Sequence, residues 1–248
     1  MRALNILLLS FLVISIESAR IDDLFSKLDI EDKCGQMTQV ALDVISKNVT
    51  TQERPSTVPI DYEKLLKYVK DYKVGSILNT LGATALGSSS TAMTQPKLVW
   101  HGIIKLIHDV VRNSTQHKIP VIYGVDSIHG ANYIDEGVLF PQPISMAATF
   151  NLDIAKQIGH ITSVETRAVG IPWNFNPVLD VGRQPLWSRL FETYGEDTYL
   201  AVKMGEAYVK GHQGDDNDLT KKENTATCLK HYIGIITNVS VNFIFNIN

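Results

Sequence analysis

The chain has 248 residues, of which 44% are hydrophobic and 8% aromatic, and its formal net charge is −3. This length allows one or two domains with a sizeable core, and the aromatic content excludes a disordered or fibrous chain. The near-neutral charge comes without a cluster of basic residues, which argues against a nucleic-acid-binding protein.

The first 19 residues have the pattern of a secretory signal peptide. Arg2 is basic, residues 4–16 are almost entirely apolar, and the small residues Ser18 and Ala19 provide a cleavage site. The apolar run is too short for a comfortable membrane span, and a buried first helix is the alternative interpretation. We therefore predict a signal peptide over residues 1–19, entry into the secretory pathway, and no membrane attachment after cleavage.

An exported chain is consistent with the acceptor triplets for N-glycosylation at Asn48, Asn113 and Asn238, although such triplets also arise by chance. We predict glycosylation at Asn48 and Asn113. The only cysteines, Cys34 and Cys228, both lie in apolar runs that resemble strands. A disulfide between them is compatible with an oxidising compartment, but free thiols are the expectation.

Helical and strand patterns alternate along the chain. Helices are predicted over residues 21–32, 62–72, 100–111, 151–170 and 197–211, and strands over residues 34–40, 74–78, 120–125, 173–180 and 225–233. The fourth helix is expected to begin at the N-cap Asn151 and to turn Ile154, Ile158, Ile161 and Val164 toward the core. Met204 and Tyr208 are expected to be core residues of the fifth.

Apolar strands that alternate with helices predict a single α/β domain, whose parallel sheet is covered on both faces. A (β/α)-barrel and a doubly wound sheet both fit this pattern. The phosphate-binding patterns G-x-G-x-x-G and G-x-x-x-x-G-K-[ST] are absent, which disfavours nucleotide-binding versions. Five strands are fewer than the eight that a closed barrel needs.

Chemically active side chains follow three of the predicted strands. Asp126 follows the third strand, Arg189 lies in the segment after the fourth, and Lys230 and His231 end the fifth. Parallel β/α folds open all strand C-termini onto one face, so these four side chains are expected to converge. One carboxylate with three donors suits a polyhydroxylated ligand through charge-assisted hydrogen bonds, and Trp187 would add an apolar platform.

Each of these residues also has a purely structural interpretation. Asp126 would cap the following turn, Arg189 would pair with Glu192 at the surface, and His231 would be a core histidine. Lys230 is harder to dismiss, because a lysine directly after an apolar strand would otherwise lie near the core. Structural roles are expected for His129, Glu192, Glu196 and Asp197.

At these positions the sequence resembles the N-terminal domain of glycoside hydrolase family 3, which contains β-glucosidases and exo-β-glucanases. The resemblance spans about residues 21–234. It is carried by VIYGVDSIHG at 121–130, FP at 140–141, WSR at 187–189 with YGED at 194–197, and KHYIG at 230–234. It implies a (β/α)8 TIM-type barrel, present here as about five of eight units over residues 20–234. Matched motif by motif, it gives Asp126, Arg189, Lys230 and His231 contacts with sugar hydroxyls.

The resemblance also implies an activity: hydrolysis of terminal non-reducing β-D-glucosyl residues from β-glucosides or β-glucan oligosaccharides, with retention and without a metal or cofactor. In such enzymes one carboxyl group attacks the anomeric carbon while a second, about 5–5.5 Å away, acts as acid and base. The family carries its nucleophile in a later Ser-Asp-Trp-like segment and its acid/base residue in a second domain. Neither is recognised here, so no catalytic residue is assigned, and the chain is expected to be truncated and inactive.

The sequence departs from the family pattern at Gln184 and Ser188, where Asp and Gly are usual, but Arg189 stays in register. Beyond Gly234 the resemblance stops, and residues 235–248 contain no charged residue. We expect this segment to be an unrelated tail from a mis-predicted gene, with a genuine short variant as the alternative.

Two other functions fit parts of the sequence to different degrees. A non-catalytic relic that binds glucan or glucose would use the same polar residues. A β-N-acetylhexosaminidase is disfavoured, because Gly234 is followed by Ile235 rather than by a Gly-His-Gly-Asp continuation. For the glucosidase, an extracellular and a lysosomal location are both compatible with a signal peptide.

Overall fold

The structure is a computed structural model that describes residues 20–47, 57–82 and 94–232. The predicted signal peptide, the acceptors Asn48 and Asn238, and the segment 235–248 lie outside the described residues. The α-helices of the described part are α1 (20–27), α2 (Ile30–Gln36), α3 (Tyr62–Leu66), α4 (Lys97–Ser114), α5 (Pro143–Ala147), α6 (Leu152–Ala168) and α7 (Thr198–Gln213). A π-helical turn at Lys67–Asp71 extends α3, and 3₁₀ turns lie at Leu42–Ile45 and Leu190–Glu192.

Five short strands form one parallel sheet in the order of the sequence. They are β1 (Gln39–Ala41), β2 (Ser76–Leu78), β3 (Ile122–Val125), β4 (Trp173–Asn174) and β5 (Ala226–Thr227). Each strand pairs in parallel with the next one along the chain. A doubly wound sheet reverses its strand order at a switch point, whereas a (β/α)-barrel keeps it. The observed order is therefore that of a barrel, which decides between the two predicted architectures.

Side-chain caps determine where several helices begin. Asp61, Asn151 and Asp197 each accept hydrogen bonds from backbone N–H groups of the first turn that follows. Asp29 forms a reciprocal capping box with Asp32 at the start of α2. The single helix predicted over residues 21–32 is therefore wrong: the chain forms two helices, separated at this cap.

The same helix boundary corrects the prediction for the first cysteine. Cys34 lies in α2 and not in a strand, and it is exposed. Cys228 is partly exposed beyond β5, and both residues are free thiols. Within the described ranges, no helix combines the length and the apolar character needed to cross a membrane.

The core has two parts. In the first, α4 buries its apolar face against the sheet, and Trp100 packs edge-on against Tyr123 of β3 with ring centroids 5.7 Å apart. In the second, α5, α6 and α7 pack against one another, and Met204 and Tyr208 of α7 are fully buried as predicted.

The predicted inward face of α6 is only partly correct. Ile158 is buried, but Ile154, Ile161 and Val164 are 37–38% exposed. The face that meets α7 instead consists of small residues, because the two helix backbones lie very close. A Cβ atom on Gly159 would lie 2.5 Å from the carbonyl oxygen of Tyr208. Backbone proximity, rather than apolar periodicity, selects the residues of this face.

This close packing predicts the effect of an added methyl group in α7. A Cβ atom on Gly211 would lie 2.2 Å from the carbonyl oxygen of Lys156. In an exposed helix, Gly→Ala stabilises by about 1 kcal/mol. We expect Gly211→Ala to lower the unfolding free energy instead, by about 1–3 kcal/mol, as overpacking does. Chemical denaturation measures this difference, and Glu206→Ala on the exposed face of α7 is the control. A stabilised Gly211→Ala variant would contradict the packing described.

Candidate functional site

An open cavity of about 910 Å³ lies where the strands end. Its lining includes Asn79 after β2, Asp126 after β3, Phe175 after β4 and Lys230 after β5. This sheet-edge cavity therefore occupies the place where parallel β/α folds bind their ligands. All four residues predicted to converge, Asp126, Arg189, Lys230 and His231, line it.

Asp126 and Lys230 form an ion pair at the carboxyl ends of the strands. Lys230 Nζ donates to Asp126 Oδ1 at 2.6 Å, and the two side chains are 24% (Asp126) and 13% (Lys230) exposed. The carboxylate of Asp126 thus faces Lys230, while its main-chain oxygen accepts from the N–H of Ile128. The predicted acidic residue and one of the predicted basic residues are therefore in direct contact.

Backbone pairing holds Lys230 at this position. Beyond the regular ladder of β4 and β5, Lys230 forms a parallel bridge with Val178. The N–H of Leu179 donates to the Lys230 carbonyl at 2.7 Å, and the Lys230 N–H donates to the Pro177 carbonyl at 3.1 Å. The Lys230–His231 peptide bond is cis. Two main-chain hydrogen bonds therefore anchor the lysine backbone beside the cavity.

Arg189 forms the ion pair with Glu192 that its structural interpretation predicts. Its Nε donates to Glu192 Oε1 at 2.9 Å, and its Nη2 donates to Oε2 at 2.6 Å. Glu192 is buried, and the hydrogen bonds to its carboxylate raise the pKa of the Arg189 guanidinium. Because both residues also line the sheet-edge cavity, this pair belongs to the wall of the cavity and not to the outer surface.

His231 is held between a carboxylate and the guanidinium. Its Nδ1 lies 2.6 Å from Asp180 Oδ2, and its backbone N–H donates to the same oxygen at 3.2 Å. Its Nε2 lies 3.2 Å from Nη1 of Arg189. The Asp180 side chain is fully buried. Sequence reasoning missed Asp180, although it ends the predicted fourth strand just as Asp126 follows the third.

Two buried asparagines near the end of β4 were also missed. Asn174 accepts from the N–H of Ser127 at 2.9 Å, and Asn176 donates to the carbonyl of Ile128 at 3.1 Å. Both side chains thus hold the backbone that directly follows Asp126. Polar residues at an otherwise apolar strand end were the available signal, because burial obliges such groups to find partners.

The aromatic surface of the cavity differs from the prediction. Trp187 is not among the described residues that line the cavity; Trp173 and Phe175 are. Their rings meet edge to face with centroids 4.7 Å apart. Gly124 of β3 leaves room for them, since a Cβ atom there would lie 2.3 Å from Phe175 Cζ. The aromatic surface therefore comes from the β4 segment, and the loop around Arg189 contributes Phe191 rather than Trp187.

Other residues predicted to be structural have structural contacts. His129 Nδ1 lies 3.0 Å from the Phe140 carbonyl oxygen, and Asp197 caps α7. In the part of the chain that the structure describes, no group of three or more His, Cys, Asp or Glu side chains is arranged to hold a metal ion.

Comparisons with known proteins agree on one family. Residues 29–241 match the model of the glycosyl hydrolase family 3 N-terminal domain. The chain is 44% identical to a lysosomal β-glucosidase of Dictyostelium discoideum over 217 residues, which are 86% of this chain and 25% of the relative.

Two solved structures also resemble this chain. An exo-1,3/1,4-β-glucanase from a Pseudoalteromonas species is 28% identical with a TM-score of 0.68, and the match covers 86% of this chain and 24% of that one. A mutant β-glucosidase from Listeria innocua in complex with laminaribiose is 25% identical with a TM-score of 0.63, over 86% and 26% of the two chains. This chain therefore spans about a quarter of the length of these relatives.

A buried histidine beneath the site predicts a dependence of stability on pH. His212 of α7 lies 3.0 Å from Nδ2 of Asn174, and burial lowers its pKa from 6.5 to about 3. The unfolded chain therefore binds this proton below pH 6.5, whereas the folded chain does not. We expect the unfolding free energy to fall by up to about 1.4 kcal/mol per pH unit between pH 6 and 4 from this residue alone.

Denaturant titrations at several pH values measure this slope, and His212→Gln should reduce it. His108, whose pKa burial also lowers, contributes separately and remains in both proteins. Equal slopes for the wild type and His212→Gln would contradict the prediction.

Proposed function

We propose a function on the premise that this chain belongs to glycosyl hydrolase family 3. The sheet-edge cavity binds the terminal β-D-glucosyl unit of a β-glucoside or β-glucan oligosaccharide, and the chain is part of a β-glucosidase. One observation carries this proposal: the four residues matched to the family's sugar contacts line a single cavity at the strand ends. The domain that forms it is proposed to begin at about residue 20, after a signal peptide, and the family match continues past residue 234 to residue 241.

The polar wall suits sugar hydroxyls for a chemical reason. Asp126 retains acceptor capacity beyond its bond to Lys230, and the ammonium group retains N–H donors beyond the same bond. A vicinal pair of hydroxyls would accept from Lys230 and donate to Asp126 together. Charge-assisted hydrogen bonds of this kind are roughly twice as strong as neutral ones.

The aromatic wall supplies the other half of sugar recognition. Trp173 and Phe175 line the same cavity as the charged groups. The C–H face of a glucosyl ring is apolar, so it would pack on these rings while its hydroxyls face Asp126 and Lys230. Polar and apolar walls in one cavity therefore fit a ligand that has both kinds of surface.

Hydrolysis with retention needs two further carboxyl groups close to the glycosidic bond. The two carboxylates that line the cavity within the described residues, Asp126 and Glu192, are both ion-paired, with Lys230 and Arg189 respectively. An attacking carboxylate must be free to bond to the anomeric carbon. We propose that this part of the protein binds and orients the sugar, and that nucleophile and acid/base residues come from elsewhere in a complete enzyme.

The same ion pairs favour a second candidate, a module that binds glucan or glucose without hydrolysing it. Both candidates use the same four residues and differ only in whether product forms. A secretory location, lysosomal or extracellular, is part of either proposal, in keeping with the lysosomal relative.

The binding proposal predicts the effect of two substitutions. We expect the full chain to bind laminaribiose, and Asp126→Asn or Lys230→Ala to weaken this binding roughly tenfold or more, because each removes a charge-assisted hydrogen bond. In a polypeptide that hydrolyses β-glucosides, both should lower kcat/KM by orders of magnitude, since hydroxyl contacts strengthen in the transition state. Isothermal titration calorimetry and release of nitrophenol from an aryl β-glucoside measure the two effects.

Lys156→Ala is the matched control, because Lys156 forms an exposed ion pair with Asp215 away from the cavity. Unchanged laminaribiose affinity in both cavity variants would remove these residues from the site. Binding without nitrophenol release would favour the module over the enzyme.

Entry into the secretory pathway predicts a glycan on Asn113, which is exposed in the last turn of α4. After secretion from eukaryotic cells, Asn113→Gln should lower the mass of the intact protein by one N-glycan. Mass spectrometry of both proteins, with and without enzymatic deglycosylation, makes the comparison. A mass difference before deglycosylation that equals only the added methylene group of Gln would contradict modification at this residue.

A further inference from the structure

We infer that Asp180 is a positioning residue: it fixes the tautomer of His231 and, through this imidazole, the orientation of Arg189 at the cavity. The inference rests on the proposed function, since it concerns the same site. Asp180 itself is fully buried and does not line the cavity. Its influence on a ligand must therefore pass through the residues that it holds.

The contact between Arg189 and His231 determines which ring nitrogen carries the proton. A guanidinium has five N–H donors and no acceptor. Nη1 of Arg189 lies 3.2 Å from Nε2 of His231, so this contact is a hydrogen bond only if Nε2 presents its lone pair. In a neutral imidazole the hydrogen then belongs to Nδ1. The geometry therefore selects the neutral Nδ1–H tautomer.

Asp180 stabilises the same tautomer from the other side of the ring. The Nδ1–H group donates to Asp180 Oδ2 at 2.6 Å, and the backbone N–H of His231 donates to that oxygen at 3.2 Å. One buried oxygen thus fixes both the ring and its main chain. A second hydrogen-bond partner is the usual means by which proteins choose between the two nitrogens of a histidine.

All three nitrogens of the Arg189 guanidinium form hydrogen bonds. Nε and Nη2 donate to Glu192, and Nη1 donates to His231. Three of the five N–H bonds are used, which leaves two for hydroxyls of a ligand in the cavity that Arg189 lines. His231 lines the cavity itself, and through the lone pair on Nε2 it also orients the guanidinium of Arg189.

A carboxylate-to-amide change separates this role from a merely structural one. In Asp180→Asn the side-chain N–H₂ can donate to Nδ1, which selects the opposite tautomer while the shape is kept. Nε2–H would then face the guanidinium and push it away. A side chain that only fills space would change thermal stability but not the protonation of the imidazole.

The first measurement is the protonation of His231 in the full-length wild type. Long-range ¹H–¹⁵N spectra of the ¹⁵N-histidine-labelled chain distinguish protonated from unprotonated ring nitrogens, and His231→Asn identifies the signals of this residue. We expect a protonated Nδ1 and an unprotonated Nε2. A protonated Nε2 overturns the inference, and this result needs no variant at position 180 that folds.

The second measurement compares laminaribiose affinity in the wild type, Asp180→Asn and Asp215→Asn. We expect Asp180→Asn to shift the His231 tautomer and to weaken binding roughly ten- to hundredfold, the range for one charge-assisted hydrogen bond. Asp215→Asn makes the same chemical change at an exposed residue, and it should leave the His231 tautomer and the laminaribiose affinity unchanged. A shifted tautomer with unchanged affinity overturns the inference, and so does unchanged affinity in Asp180→Leu, which has no acceptor for either N–H group of His231. A wild type that does not bind laminaribiose contradicts the proposed function instead.

Discussion

Parallel pairing of consecutive strands is the constraint on which the rest of this structure depends. Because every strand runs in the same direction, each delivers the residues after it to the same edge of the sheet. The pairing continues past the regular ladder, where Val178 and Leu179 hold the backbone of Lys230. Asp126 and Lys230 are 104 residues apart in sequence, yet they form one ion pair at this edge.

The features that could be predicted from the sequence are those that depend on strand order alone. An apolar run followed by a polar residue indicates both a buried strand and a side chain at its carboxyl end, and this pattern predicted Asp126, Lys230 and His231. Arg189 was predicted from the segment that follows the fourth strand. The family motifs supported the same residues. The alternation of helices and strands predicted a parallel sheet but left a barrel and a doubly wound sheet both open, and only the family resemblance implied the barrel.

The remaining features depend on distances between segments, which periodicity does not contain. The predicted inner face of α6 was largely wrong because α7 approaches so closely that small residues such as Gly159 form the contact, while Ile154, Ile161 and Val164 stay partly exposed. Trp187 was wrong as a platform because the β4 segment faces the cavity with Trp173 and Phe175, and the following loop contributes Phe191 instead. Asp180 was missed because the local sequence does not distinguish a carboxylate that positions another side chain from a polar residue that merely ends a strand.

The ion pairs of the cavity have a consequence for the kind of molecule that can enter it. Lys230 and Arg189 are each matched by a carboxylate at hydrogen-bonding distance, so neither cation projects an uncompensated field into solvent. An anion approaching such a wall would gain little attraction and would have to displace a partner that is already in place. An uncharged polyol meets no such opposition, because it extends the existing hydrogen bonds without breaking them. Charge balance therefore gives an anion little electrostatic advantage over an uncharged polyol at this wall.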